Sequence, residues 1–164
     1  MRTRSIGAAL AIATILTAGS ACASGGGGPS GDVYREDLGR VLSLPLQEAR
    51  QKIWTKHGIP VEREEKTSRS LRVQSQWMLR QPEPAEAAEG VTQARNRIVL
   101  SGRLLEGEMD YSDGVLRVTF EVFNQVRSEA IPDWHPAPMP SAVRDEFRKV
   151  YSDMRLEVGT GVRR

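Results

Sequence analysis

The feature that most constrains the fold is a strict alternation of apolar and polar residues in the second half of the chain. From Leu116 to Val122, every even-numbered residue is apolar and every odd-numbered residue is polar. Successive side chains of a strand point to opposite faces, so this pattern predicts a strand with one buried and one solvated face. A similar alternation over 71–80 predicts a second strand of this kind.

Two amphipathic helices are predicted, one near the start of the folded domain and one at its end. The first covers 45–57 and has an apolar stripe that includes Leu46 and Ile53, and Gly58 ends it as a left-handed cap. The second begins after Ser141, whose hydroxyl can cap the first turn, and its apolar residues again share one face.

The remaining segments complete the predicted order of elements. Strands are predicted over 38–44, 59–66 and 94–105, and the proline- and glutamate-rich segment 81–92 is predicted to be a mobile loop. Turn-forming residues at 110–114 predict a hairpin between the last two strands. Consecutive strands without an intervening helix pair antiparallel, and two helices can cover only one face. The sequence therefore predicts an α+β two-layer sandwich with a sheet of four to five strands.

The N-terminus has the layout of an export signal followed by a spacer. Two arginines precede an uncharged apolar stretch from Ile6 to Ala18. This stretch is shorter than the run of about 20 residues that a membrane-spanning helix requires, so residues 1–21 are predicted to be a cleaved signal peptide. Residues 23–31 are rich in glycine and serine, and nine such residues form a flexible tether that reaches about 15–18 Å.

Cys22, the only cysteine of the chain, lies where the predicted signal ends. Its segment Gly19-Ser20-Ala21-Cys22 after an apolar run resembles the lipobox of bacterial lipoproteins. The resemblance implies that Cys22 becomes the first residue, carries acyl chains such as palmitate, and anchors a periplasm-facing protein in the membrane of the cell envelope. In the alternative, Ala21-Cys22-Ala23 is an ordinary cleavage site and Cys22 leaves with the signal.

Cleavage also changes the size and charge of the chain. It removes Arg2 and Arg4, which leaves equal numbers of basic and acidic residues, and this balance does not indicate a nucleic-acid partner. The remaining length suits a single domain, predicted over 32–158 and preceded by the lipidated tether at 22–31. Residues 159–164 are predicted to form a disordered tail.

The predicted element order resembles the helix-grip domains of BamC-like envelope lipoproteins. The residues that carry this resemblance are the helix from Leu46 to Trp54, its exit through Gly58-Ile59-Pro60-Val61 and the strand that ends in Trp77. The resemblance implies a non-enzymatic accessory role in envelope assembly, with another envelope protein as the partner and no cofactor.

A search for catalytic residues gives no candidate site. His57 is predicted to interact with the C-terminus of the first helix, and His135 lies near Asp133 but no nucleophile turn accompanies it. Asp110 and Asp113 fit a turn better than a calcium loop, because the later ligands of that motif are missing. We therefore predict no catalytic residue, no metal site and no enzymatic activity.

The segment 131–140 contains the residues predicted to contact a partner. Ile131, Trp134 and Met139 lie among prolines, which lower the entropy lost on binding. In the alternative, this segment is a connector that packs Trp134 over the end of the sheet. The sequence favours a scaffold or binding module. The other hypotheses are a carrier that holds a small apolar ligand between the sheet and the C-terminal helix, and a hydrolase.

Overall fold

The computed structural model describes residues 33–105 and 114–161, which form an antiparallel sheet with helices packed on one face. The predicted α+β fold is confirmed. The elements in chain order are β1 (Tyr34–Leu42), α1 (Ser43–Lys56), β2 (Val61–Lys66), β3 (Ser70–Ser75), β4 (Met78–Arg80), α2 (Pro84–Ala88), β5 (Val91–Leu104), β6 (Val115–Ser128), β7 (His135–Pro136) and α3 (Ser141–Gly161). The predicted signal peptide, Cys22, the tether, Asp110 and Asp113 lie outside the described residues.

The open sheet has the strand order β1-β6-β5-β3-β2, with β4 paired to β5 and β7 paired to β6. The long strands β5 and β6 pair antiparallel over almost their whole length, which confirms the predicted hairpin. The sheet has seven strands instead of the predicted four to five. Two short strands account for the difference: the alternation over 71–80 is interrupted after Ser75, and His135–Pro136 pairs with the end of β6.

The hydrophobic core lies between the sheet and the helices. The even-numbered residues of β5 and β6 face it, and Leu100 and Phe120 are fully buried. On the other side of the core, Leu46 of α1 and Met154 of α3 are also fully buried. Burial of a side chain of this size contributes about 1.5–3 kcal/mol, so this layer is a main source of stability.

The ends of the helices follow the sequence signals closely. α1 begins at Ser43, so Pro45 lies in the first turn, where its missing N–H leaves no bond unmade. Gly58 has a positive φ of 63° directly after α1, as predicted for a left-handed cap. α3 extends to Gly161, so the prediction of a disordered tail is wrong for residues 159–161, which continue the helix.

The prediction of a mobile loop over 81–92 is wrong, because this segment contains α2. Pro84 lies in the first turn, and a capping box joins Glu83 and Glu86 through reciprocal side-chain and backbone hydrogen bonds. Glu86 is buried, which a solvated loop would not allow.

Candidate functional site

The structure separates the three residues predicted to contact a partner. Ile131 is 51% exposed, whereas Met139 is 4% exposed and belongs to the hydrophobic core. Trp134 is half-buried and stacks on Arg95 and Arg127, on the sheet face opposite the helices. The three side chains therefore do not form one contact surface, and the arrangement matches the alternative in which Trp134 packs on the sheet.

Ile131 and Met139 do share a groove of about 470 Å³ at the end of the sheet. Its walls come from α2, the last residues of β6 and the proline-rich segment, and its buried lining residues are Glu86, Val126 and Met139. Met139 thus contributes to the inner wall of this groove rather than to an exposed surface.

The two histidines have structural partners. His57 caps the C-terminus of α1, and its Nε2 lies 2.8 Å from Oδ2 of Asp153 on α3. Hydrogen bonds from Lys56 and from His57 lower the pKa of Asp153, so the contact joins the two helices as an ion-pair cluster at the surface. Nδ1 of His135 lies 3.1 Å from the backbone oxygen of Asp133.

Metal-ligating clusters were sought in the same part of the chain. Within residues 33–105 and 114–161, no group of three or more His, Cys, Asp or Glu side chains is placed to hold a metal ion.

The sheet face opposite the helices is rich in arginine, and we call it the arginine face. Odd-numbered residues of β5 and β6 form its centre, because their even-numbered neighbours face the core. The arginines placed there by strand register are Arg35, Arg40, Arg63, Arg72, Arg95, Arg97, Arg103, Arg117 and Arg127. In the described part of the chain, the acidic residues on the same face are Asp37, Glu62, Glu65 and Glu121.

Few of these charges neutralise one another. Each of the three glutamates forms an ion pair with one arginine, namely Glu62 with Arg97, Glu65 with Arg63 and Glu121 with Arg35. The carboxylate of Asp37 instead accepts the backbone N–H of Gly39 at 2.7 Å. Six arginines of the face therefore have no carboxylate partner within the described ranges.

At one end of the arginine face, three arginines and two tryptophans alternate in a stack. The order is Arg97, Trp77, Arg95, Trp134 and Arg127, with 4.2–4.9 Å between each guanidinium carbon and the neighbouring ring centroid. Such cation–π contacts contribute about 0.5–2 kcal/mol each, so the stack fixes both tryptophans on the sheet.

Arg95 is the centre of this stack. Its guanidinium donates hydrogen bonds to Oε1 of Gln125, at 3.0 Å from Nε and 2.6 Å from Nη2. Burial, together with the neighbouring charges of Arg97 and Arg127, lowers the pKa of Arg95 from its ordinary value. Stacking between two indole rings keeps this cation in place despite the adjacent like charges.

At the other end of the face, three exposed arginines form a row across neighbouring strands. Arg40 of β1 pairs in register with Arg117 of β6, and Arg117 pairs with Arg103 of β5. The row borders an open depression of about 460 Å³ together with Leu104 and Leu105. Like charges directly opposite each other destabilise a sheet, so this row is costly for the isolated domain.

A buried polar network lies on the core side of the sheet and connects β4, α2, β5 and β6. Arg80 donates to both carboxylate oxygens of Glu86, at 2.6 and 2.7 Å, and to the side-chain oxygens of Asn96 and Asn124. Asn124 in turn donates to the backbone oxygens of Ala137 and Pro138. The network thus holds α2 and the proline-rich segment against the sheet.

The network also determines the ionisation of Glu86. Burial alone would raise the pKa of its carboxyl group, but hydrogen bonds from Arg80 and from the backbone N–H of Glu83 outweigh burial and lower the pKa. A buried carboxylate that accepts this many hydrogen bonds is a stabilising group rather than a proton donor for catalysis.

Aromatic side chains fill the part of the space between the sheet and α3 that lies around Phe120, one of the places where a carrier would hold its ligand. The ring of Phe120 lies 6.4 Å from that of Tyr34 and 6.1 Å from that of Tyr151. The Tyr151 hydroxyl donates to the backbone oxygen of Asp37 at 3.0 Å. Burial is the main cause that raises the pKa of Tyr34 to about 12.

The arginine face is the feature that the sequence analysis missed. The balanced charge predicted for the chain after cleavage gave no sign of a clustered basic surface, yet strand register gathers nine arginines on one face. The exclusion of a nucleic-acid partner stays a prediction. The odd-numbered positions of β5 and β6, which carry Arg95, Arg97, Arg103, Arg117 and Arg127, were the available signal.

Comparisons with models of protein families, with curated proteins and with solved structures found no match to this chain. In the part of the chain that the structure describes, no helix has both the length and the apolar character needed to cross a membrane.

Proposed function

We propose that this chain is a lipid-anchored protein of the bacterial cell envelope and that its folded body is a non-enzymatic binding module. Acyl chains on Cys22 anchor it, the glycine-rich tether separates the anchor from the body, and the arginine face binds the partner. In this arrangement, the short tether keeps the arginine face close to the membrane surface.

The observation that carries the binding role is the arginine face. Among the described residues, α1 and α3 pack on the opposite side of the sheet, and Arg40, Arg103 and Arg117 are exposed. Six of its arginines have no carboxylate partner within 33–105 and 114–161. A concentration of unpaired positive charge supports long-range attraction of an acidic partner.

The filled packing around Phe120 supports a binding module over the alternative carrier, although an open depression of about 310 Å³ lies between Ile59 and Met78 on one side and Phe147 and Val150 of α3 on the other. Tyr34, Phe120 and Tyr151 pack against one another between the sheet and α3, and Phe120 has 0% exposure. A carrier would require a cavity of about 300 Å³ or more at this position. Native mass spectrometry of the purified protein would reveal a small ligand bound there, and such a ligand would favour the carrier.

Site-specific photo-crosslinking in cells tests the binding role. A photoreactive residue in place of Ser101, which pairs with Thr119 on the arginine face, should give adducts with an envelope component while leaving the arginines intact. The same residue at position 155, which is exposed on α3, is the control. Equal adduct yields at both positions, or none at 101, would contradict the proposed binding surface.

Membrane fractionation tests the anchor separately. The wild-type protein should stay in the membrane pellet after washes with high salt and alkaline carbonate, because acyl chains hold it. A Cys22→Ala variant should be released by the same washes. Retention of that variant would mean that the thiol is not the anchor.

A further inference from the structure

Exposed apolar side chains lie among the cations of the arginine face. Leu79 of β4 is 71% exposed and pairs in register with Arg95, while Leu42 of β1 is 37% exposed and follows Arg40 by two positions. The half-buried rings of Trp77 and Trp134 lie on the same face. This surface therefore combines basic, aliphatic and indole groups.

Within 33–105 and 114–161, the row of Arg40, Arg117 and Arg103 has no counter-charges of the kind that the rest of the face has in part. None of the three pairs with a carboxylate in the described portion of the chain, although they lie on adjacent strands about 4.8 Å apart. The planar guanidinium fork matches the geometry of phosphate oxygens, so bound phosphate groups would offset the repulsion along the row.

The position where the tether joins the body points to the source of those phosphates. The described chain enters the sheet at Tyr34, the first residue of the edge strand β1, and Arg35 directly after it belongs to the arginine face. The tether of residues 23–31 reaches only about 15–18 Å, which keeps the face at a high effective concentration near the bilayer.

We propose that the arginine face binds the anionic phospholipid headgroups of the membrane in which Cys22 is anchored. This inference rests on the proposed lipid anchor and names the partner of the binding module. The arginines contact headgroup phosphates, and Leu42, Leu79 and the indole edges of Trp77 and Trp134 lie at the boundary with the acyl chains. The body then lies flat on the membrane with α1 and α3 directed away from it.

The mixture of side chains favours this partner over two other polyanions. Nucleic acids and acidic peptides would satisfy the arginines but would leave the exposed Leu79 in contact with water. A membrane interface accepts both groups, because aromatic and aliphatic side chains partition into the headgroup boundary beside basic residues.

Vesicle co-sedimentation tests the proposal with the mature chain from residue 22 carrying Cys22→Ala, so that acylation makes no contribution. We expect binding to phosphatidylcholine vesicles that contain one-third phosphatidylglycerol and little binding to phosphatidylcholine alone. The triple variant Arg40→Gln/Arg103→Gln/Arg117→Gln should bind about 100-fold more weakly, since each basic residue near an anionic surface contributes substantially.

A second triple variant tests whether the loss of binding is specific to the arginine face. Arg148→Gln/Lys149→Gln/Arg155→Gln removes the same charge from the exposed side of α3 and should bind nearly as tightly as the parent protein. Leu79→Ser should weaken binding by a smaller factor that persists in 1 M salt, where screening reduces the Debye length to about 3 Å. Circular dichroism of each variant verifies that it is folded.

Three results would overturn the proposal. The first is equal binding to neutral and anionic vesicles, or to neither. The second is an equal loss of binding in the two triple variants. The third is tighter binding to polyglutamate or to a DNA oligonucleotide than to anionic vesicles. Because the protein in this assay carries no acyl chain, its outcome is independent of whether natural Cys22 is lipidated.

Discussion

Substitution of Arg80 by methionine should reveal how far the fold depends on its buried polar network. Arg80 supplies four hydrogen bonds to Glu86, Asn96 and Asn124, and its side chain is 16% exposed. Arg80→Met keeps much of the apolar stem but removes the guanidinium. Glu86, which is 8% exposed, then loses its only described cationic partner.

The expected cost follows from this burial. Removing one partner of a buried ion pair costs about 3–5 kcal/mol, because the remaining charge is left uncompensated. Glu86 retains one hydrogen bond from the backbone N–H of Glu83, at 2.8 Å. We therefore expect the lower end of the range, about 3 kcal/mol at neutral pH.

The effect of pH adds a second, independent expectation. The native network lowers the pKa of Glu86 below its ordinary value of 4.5, so the stabilisation is present above that value and is lost as the pH falls below it. In Arg80→Met, the hydrogen bonds from Arg80 no longer oppose the effect of burial on the pKa of Glu86, so Glu86 becomes neutral at a higher pH. The difference between the two proteins should therefore shrink on acidification.

Urea denaturation of the mature Cys22→Ala chain, followed by circular dichroism, measures both effects. The matched control is Arg148→Met, which removes an exposed ion pair with Asp145 and should cost less than about 1 kcal/mol. If Arg80→Met costs no more than this control, or if its deficit is the same at pH 7 and below pH 4.5, the network does not have the stabilising role derived for it.

Three further stability measurements test other parts of the fold. Met139→Ala should lower the free energy of unfolding by about 2–5 kcal/mol because Met139 is buried. Ile131→Ala should change it by less than about 0.5 kcal/mol because Ile131 is exposed. Equal costs would contradict this difference in burial. Gly58→Ala should cost about 1–2 kcal/mol because its φ is 63°, and an unchanged urea midpoint would contradict the strained cap. Burial raises the pKa of Tyr34 to about 12, so its contribution to stability should be complete below pH 10 and should decline above that pH. Tyr34→Phe should lack this part of the decline at alkaline pH. Identical stability profiles of the two proteins at alkaline pH would contradict the burial effect.

The elements with long, uninterrupted periodicity were predictable from the sequence. The alternation around Phe120 identifies β6, and the stripe of Leu46 and Ile53 with Gly58 behind it identifies α1. In both elements the local pattern and the tertiary packing favour the same conformation, because the apolar positions face the core.

The errors arise where local and long-range signals differ. The alternation over 71–80 continues through the interruption between β3 and β4, which only pairing with β5 makes visible. α2 is short, follows Pro82 and begins at Pro84, so its capping box at Glu83 and Glu86 was the only local signal. The stack around Arg95 joins Trp77 and Trp134, which only strand pairing brings together.

Intact mass spectrometry of the protein isolated from its natural membrane tests the central claim most directly. We predict a mature chain that begins at Cys22 and carries the added mass of acyl chains on that residue, which a Cys22→Ala variant should lack. An unmodified mature chain that begins after residue 22 would contradict the anchored-module account.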